Sequence, residues 1–455
     1  MAALFYTIGI VLFFVSILAS IGLHELGHMI PARRFGGKVT QYFIGFGPTV
    51  WSRRVGETEY GVKAVPLGGY VKIVGMLPPG ADQLAERVES DEHGEQVLTV
   101  RKSNTGMFTQ LISDARAAEW EQIGPADSDR LFYKMAPWKK IVVMAGGPTV
   151  NLVIAFLLFW GIFATVGKAL PAEAAPGQPV VSTVSTCVIP YAEEGRACTD
   201  DDPPSPAAEV GLRPGDVITS FNGTAITGWD QLRGLIRDNA DGDATIGYER
   251  DGVARTGETS TTVQARPSSA TSETLTQVGF LGVGPTVVLR SEKGGPIFTL
   301  REMGGMTVDT VQALGSLPAK VWGVAKAIVG VQERDRDSPV SIVGGGRLAG
   351  EVASADDFPI QDKIVSLAGL VAGFNLFIGL FNFVPLLPLD GGHIVSALWE
   401  SLRRRLARWR GRPDPGYADA AKLLPVAYVV ASALLVMGIV LIVGDLVVPL
   451  HLQDS

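Results

Sequence analysis

Residues 4–23, "LFYTIGIVLFFVSILASIGL", run without a single charge, and no other feature narrows the options of this chain as much. The run matches the roughly 20 apolar residues that a helix needs to cross the hydrocarbon core of a bilayer. Further blocks repeat the pattern at about 141–167 ("IVVMAGGPTVNLVIAFLLFWGIFATVG"), about 365–388 ("VSLAGLVAGFNLFIGLFNFVPLLP") and about 424–445 ("LPVAYVVASALLVMGIVLIVG"). Hydrophobic residues form 47% of the chain and are gathered in these blocks, with polar stretches between them. The expected class is a polytopic α-helical protein with four transmembrane helices in a lipid bilayer. No basic segment precedes the first run and no small-residue cleavage pattern ends it, so it reads as a retained helix rather than a signal peptide.

Four spans put both termini on one side of the membrane, and the basic residues choose which. Arg33, Arg34, Arg53 and Arg54 follow the first span, and Lys139 and Lys140 precede the second. Arg403, Arg404, Arg405, Arg408, Arg410 and Arg412 lie between the third and fourth. The positive-inside tendency makes these segments cytoplasmic. Both termini and the stretch from about 168 to 364 are then expected outside the cell membrane. The arginine cluster reads as a topology anchor beside anionic lipid, and a net charge of −7 gives no footprint for nucleic acid.

The spans divide the chain into expected segments. The first helix covers 1–30, and 31–76 forms a cytoplasmic-side β-hairpin region in which "GETEYGVKAVPLGGYVKIVGM" (56–76) pairs around Gly68 and Gly69. A polar insert of no assigned chemistry fills 77–135, and the second helix covers 136–167. Residues 168–290 form a linker and a small domain; 291–364 hold an amphipathic helix and the Gly-rich loop "SPVSIVGGGRLAG". The third helix covers 365–395, a basic loop 396–423, and the fourth helix with its tail 424–455. In the outer segment "GLRPGDVI" followed by "NG" resembles a PDZ domain, an α+β module that commonly binds extended peptide ends by strand addition. The alternative is a bulky cap that limits what approaches the membrane. Cys187 and Cys198 lie close together in that segment, where an oxidising compartment permits a disulfide.

The first apolar run ends in "HELGH", which places His24 and His28 four apart and so on one face of a helix. Two imidazoles at that spacing can clamp one metal ion, while Glu25, on the neighbouring face, can hold a water and take its proton. Ionisable groups within a membrane cost at least ~2.5–3.5 kcal/mol each unless paired, ligated or hydrated, so a cluster of three asks for a metal. Catalytic zinc usually takes three protein ligands and leaves a fourth position open. Asp390 in "NFVPLLPLDGGHIV" is the expected third ligand, because Pro385 and Pro388 break the apolar stretch before it and a carboxylate there has no other evident use. Two imidazoles and a carboxylate favour Zn2+. His393 would close the site if it were a fourth ligand, and is expected beside the site instead.

"HELGH" together with "NFVPLLPLDGG", the "PLGGYV" hairpin, "GGPTVN" and one PDZ-like region between the second and third spans resembles the site-2 protease family of intramembrane zinc metalloproteases, most closely actinobacterial members that act on anti-sigma factors. The resemblance implies His24, His28 and Asp390 as zinc ligands and Glu25 as the catalytic glutamate. It also implies a substrate-handling role for Asn382, and for Asn151 a position read here as structural. Gly68 and Gly69 would flank a sheet edge on which an unwound substrate lies. The implied substrate is a single-span membrane protein already trimmed outside by a site-1 type protease, with the active site toward the cytoplasmic side. Two other readings stay open: a non-proteolytic membrane scaffold with a structural zinc, and a metal transporter.

Overall fold

The computed structural model describes residues 2–78, 88–90, 96–98, 112–116, 127–173, 179–191, 198–199, 201–267, 275–285, 287–335, 337–355 and 358–451. Most of the expected 77–135 insert therefore lies outside the described residues. The chain divides into two compact units, Met1–Val166 with Gly294–Ser455, and Gly167–Lys293.

In the first unit, helix α1 (Ala2–Arg34) continues well beyond the uncharged run and carries "HELGH" in its second half. Strands β1 (Val39–Val55) and β2 (Thr58–Ile73) follow, then helices α2 (Pro137–Thr165), α3 (Pro296–Ile328), α4 (Ile342–Ser354), α5 (Ile360–Asn382), α6 (Asp390–Trp409) and α7 (Leu424–Val447). Among the described residues, four helices are long and apolar enough to span a bilayer: α1, α2, α5 and α7 with the turn before it. The protein is thus a multi-pass membrane protein.

Small residues set how these helices pack, because apolar burial alone does not drive helices together in lipid. A Cβ on Gly27 would meet the Gly146 carbonyl, and one on Gly146 the Gly27 carbonyl, so α1 and α2 cross backbone to backbone. The glycine of "HELGH" is therefore a packing requirement. Gly379 on α5 meets Leu152 and the Pro148 carbonyl of α2 in the same way, and Ala155, Phe159, Phe163, Ala372 and Leu376 fill the seam.

Four expectations are corrected. The Gly-rich "loop" is helix α4, capped by the Ser341 hydroxyl on Val343 N–H. Its glycines are contact points: Cβ atoms on Gly345, Gly346 and Gly350 would strike Phe13, Phe14 and Tyr6 of α1. Asp445 of α7 holds the start of α4, accepting from Ser341 N–H at 2.6 Å and Gly344 N–H at 3.1 Å while paired with Arg334 at 2.8 Å. The hairpin begins at Val39 rather than 56, and β1 bends at Gly45 and Gly47, both at positive φ. The expected single helix 365–395 is two helices, since α5 stops at Asn382 and Asp390 opens α6. The prolines at 385 and 388 account for that break, each lacking the N–H that a helix interior needs. The basic "loop" 396–423 is consequently helical as far as Trp409. The expected amphipathic helix is α3, whose described bounds are Pro296–Ile328.

The second unit has its own core, with Leu212, Ile218, Phe221, Leu232, Ile246 and Leu281 almost fully buried. Its four-stranded antiparallel sheet runs in the order 253–260, 243–250, 217–221, 224–225. Helix Trp229–Asp238 turns Trp229, Leu232 and Ile236 inward, the period expected of a half-buried helix. Cys187 and Cys198 form a disulfide.

Candidate metal and catalytic centre

Helix α1 supplies two imidazoles, α6 a carboxylate and α2 the groups that orient them. His24 Nδ1 donates to Asn151 Oδ1 at 2.6 Å, and His28 Nδ1 donates to the Val143 carbonyl at 2.8 Å. A carbonyl oxygen can only accept, so each ring carries its proton on Nδ1 and leaves Nε2 with a lone pair. The two Nε2 atoms lie 3.2 Å apart, and Asp390 Oδ2 lies 3.4 Å from that of His24 and 3.3 Å from that of His28.

Three lone-pair donors in mutual contact repel one another unless a cation sits among them. Bonds of about 2.0–2.1 Å at tetrahedral angles require ligand atoms about 3.3 Å apart, which is the spacing found here. A second observation agrees. A Cβ on Gly147 would meet the Nε2 atoms of both histidines, so the space into which the donors point is kept open by the missing side chain of this one glycine. The residues fit a zinc ion. Among the described residues, His24, His28 and Asp390 are the only group of three or more His, Cys, Asp or Glu side chains able to share a metal.

Glu25 is buried, lies within electrostatic reach of all three donors and touches the sheet, where the Val71 backbone hydrogen-bonds to it. A Cβ on Gly69 would come within 3.0 Å of Glu25 Cγ and 3.1 Å of Ile21 Cγ2. In β1, Tyr42–Ile44 pair with Gly69–Val71 on one side and with Tyr60–Val62 on the other. No further strand pairs with 69–73 among the described residues, and the Val71 backbone on this stretch hydrogen-bonds to the glutamate. Gly68 sits at φ +96°, a conformation few side chains adopt, and a Cβ there would meet Phe46.

The other expected residues fall as follows. Asn151 both orients His24 and donates to Asn375 Oδ1 at 3.0 Å, while Asn375 Nδ2 reaches Ser20 Oγ at 3.0 Å. This buried polar chain joins α1, α2 and α5. Asn375 was not singled out from the sequence, although an amide within an apolar span is itself a signal; Asn382, the last residue of α5, is half-buried seven positions later. His393 lies on α6, one turn past Asp390, and lines a small cavity with Lys140 and Glu400 rather than joining the donors. Val143 and Gly147 also escaped the sequence reading. A backbone acceptor has no residue-type signature, but Gly147 stands inside "GGPTVN".

Comparison with known proteins agrees with this geometry. The family model of peptidase family M50 matches residues 12–413. The zinc metalloprotease Rip1 of Mycobacterium tuberculosis strain H37Rv is 35% identical over 98% of this chain and 99% of its own length. Rip1 of Mycolicibacterium smegmatis is 33% identical with the same coverage. The PDZ domain of an SdrC-like protein from Listeria monocytogenes aligns with 25% of this chain and 93% of its own at 18% identity, but its TM-score of 0.16 carries no argument about the fold.

Proposed function

The chain belongs to peptidase family M50 and is an intramembrane zinc metalloprotease, and from that premise we propose that His24, His28 and Asp390 hold the zinc and that Glu25 is the general base. The observation that carries this assignment is the convergence of three lone-pair donors 3.2–3.4 Å apart around the space left by Gly147. Zinc bound there supplies Lewis acidity to the scissile carbonyl and to the attacking water. Glu25 takes the proton from that water and later delivers it to the leaving amine. Asn151 and the Val143 carbonyl keep each imidazole in the Nδ1–H tautomer, so neither ring needs to reorient during turnover.

A peptide bond in a transmembrane helix is hidden in its own hydrogen-bond ladder, and a protease must unwind it first. The stretch 69–73 pairs with no further strand among the described residues, so an unwound segment can add there as a strand beside Glu25 by taking over the Val71 backbone contact. Gly68 and Gly69 keep that edge free of side chains, and Asn382 is assigned to hydrogen-bond the substrate backbone. The substrates are single-span membrane proteins of the anti-sigma-factor type, trimmed beforehand on the outer side by a site-1 type protease. The basic residues flanking the spans support a cytoplasmic-side centre, with both termini and the Gly167–Lys293 unit outside the cell membrane. That unit is read as a PDZ-like module that discriminates against untrimmed substrates, on the strength of its "GLRPGDVI" turn and small antiparallel sheet.

The test is cleavage of tagged single-span substrates, trimmed and untrimmed, by the purified protein and by Glu25→Gln, with zinc assayed in both. The expected result is cleavage of the trimmed form by the parent, a loss of about 10²–10⁴-fold in the variant, and equal zinc in the two. A variant that cleaves at the parental rate removes Glu25 from the mechanism. Equal rates on trimmed and untrimmed substrates remove the discriminating role of the outer unit.

A further inference from the structure

Outside the donor triangle, the most deeply buried charges that touch both α2 and α6 are Lys140 and Glu400. Lys140 is 5% exposed and Glu400 1% exposed, and Nζ lies 2.7 Å from Oε2. Glu400 also accepts from the Ala418 N–H at 3.1 Å and pairs with Arg404 at 3.0 Å. Burying such a pair costs several kcal/mol per ion, and an apolar pair of similar volume is often as stable or more so. Stability alone therefore does not account for a lysine and a glutamate here.

Helix α2 already carries the acceptors for the other two donor residues, Asn151 for His24 and the Val143 carbonyl for His28. Lys140 lies on the same helix, within one turn of Val143. Glu400 stands ten residues from Asp390 on α6, about 15 Å along the axis, with His393 and Ala397 between them on the face turned toward Lys140. A directional ion pair at that distance cannot touch the metal, but it fixes the rotation and register of α6 against α2. We infer that Lys140 and Glu400 are positioning residues for the third ligand: by locking α6 onto the helix that orients both imidazoles, they set the Asp390 carboxylate relative to His24 and His28. Helix α2 is then the common reference for all three donors. The inference rests on the assignment of those three residues as the zinc ligands.

The experiment compares full-length protein in detergent with Lys140→Met/Glu400→Leu, with Glu400→Gln and with Asp390→Ala. Three quantities are read: the zinc Kd by chelator competition, the visible spectrum of the Co2+-substituted protein, and thermal stability. The apolar pair is expected to fold, since Arg404, partly exposed, keeps Asp414 at 3.6 Å, yet to weaken zinc binding about 10-fold or more, the scale on which groups supporting a ligand act, with an altered Co2+ spectrum. Glu400→Gln is expected to weaken zinc binding in the same direction while also losing stability. Should the apolar pair fold and hold zinc within twofold of the parent with an unchanged Co2+ spectrum, the pair only fastens two helices and the inference is overturned. Glu400→Gln decides in the same way if the apolar pair does not fold. Asp390→Ala separates the premise from the inference. If it binds zinc as the parent does, the ligand assignment fails; if it loses zinc while the apolar pair keeps it, only the positioning role fails.

Discussion

Gly147 shows what a single missing methyl can do. It stands on α2 facing both Nε2 atoms, and one residue earlier Gly146 meets Gly27 backbone to backbone. An added methyl must either displace the imidazoles or break the close crossing of α1 and α2. Gly147→Ala is therefore expected to leave the helical content intact and to drop zinc from about one ion per chain to near none, read by metal analysis of the purified protein; full zinc occupancy would mean that the ion sits elsewhere. The donors themselves were legible because their chemistry is tied to residue type and spacing: His24 and His28 four apart, and a carboxylate at 390 after two prolines. What orients them was less so. The Val143 carbonyl is backbone, and the contact of Asn151 with His24 depends on a helix crossing that no local pattern encodes. A sequence announces which atoms can bind a metal more readily than which atoms aim them.

At the scale of elements, the role proposed for the hairpin depends on a shape rather than on a charge. Gly69 lies 2.9 Å, measured from where its Cβ would be, from the Phe43 carbonyl, and 3.0 Å from Glu25 Cγ. A valine at that position would have to displace either the β1 backbone or the glutamate. Gly69→Val is expected to lower cleavage at least about 10-fold while zinc stays bound, whereas the same change at Gly56, where nothing lies within 4 Å, is expected to leave zinc binding and the strand edge intact and to cost only the strain of its positive φ. Cleavage by Gly69→Val at the parental rate would show that substrate does not use this edge. The long apolar helices were readable from hydropathy, since length and absence of charge are all a span requires. The elements that failed to read were those ruled by contacts. The glycines of α4 look like a loop until the aromatic side chains of α1 are set against them. The first half of the hairpin was missed because β1 is interrupted by Gly45 and Gly47, which local reading takes as an end and the structure uses as bends.

The whole chain combines two units of different build: one carries the apolar helices long enough for a bilayer, and the other, Gly167–Lys293, a small antiparallel sheet and a disulfide. In the second unit, Asp216 is a buried group through which stability is expected to follow pH. Its carboxylate is 1% exposed, and burial pushes its pKa upward. The opposing contacts win: Arg250 donates to both oxygens at 2.7 Å and the Arg213 N–H donates at 2.7 Å, holding the carboxyl below its usual range. A carboxyl whose pKa is depressed in the folded state contributes stability that is fully present above its unfolded pKa of 3.8 and that disappears as pH falls through the lower folded value. Hydrogen exchange of strands Val217–Phe221 and Asp243–Arg250 in the full-length protein, followed from pH 6 downward, is therefore expected to show protection that holds near neutrality and declines below about pH 4. Asp216→Asn keeps the shape but removes the charge, so it should lower protection at pH 6 and flatten the decline. If parent and variant lose protection in parallel across that range, the pair with Arg250 contributes nothing net to folding, and the acid sensitivity of the unit must lie in its other carboxylates.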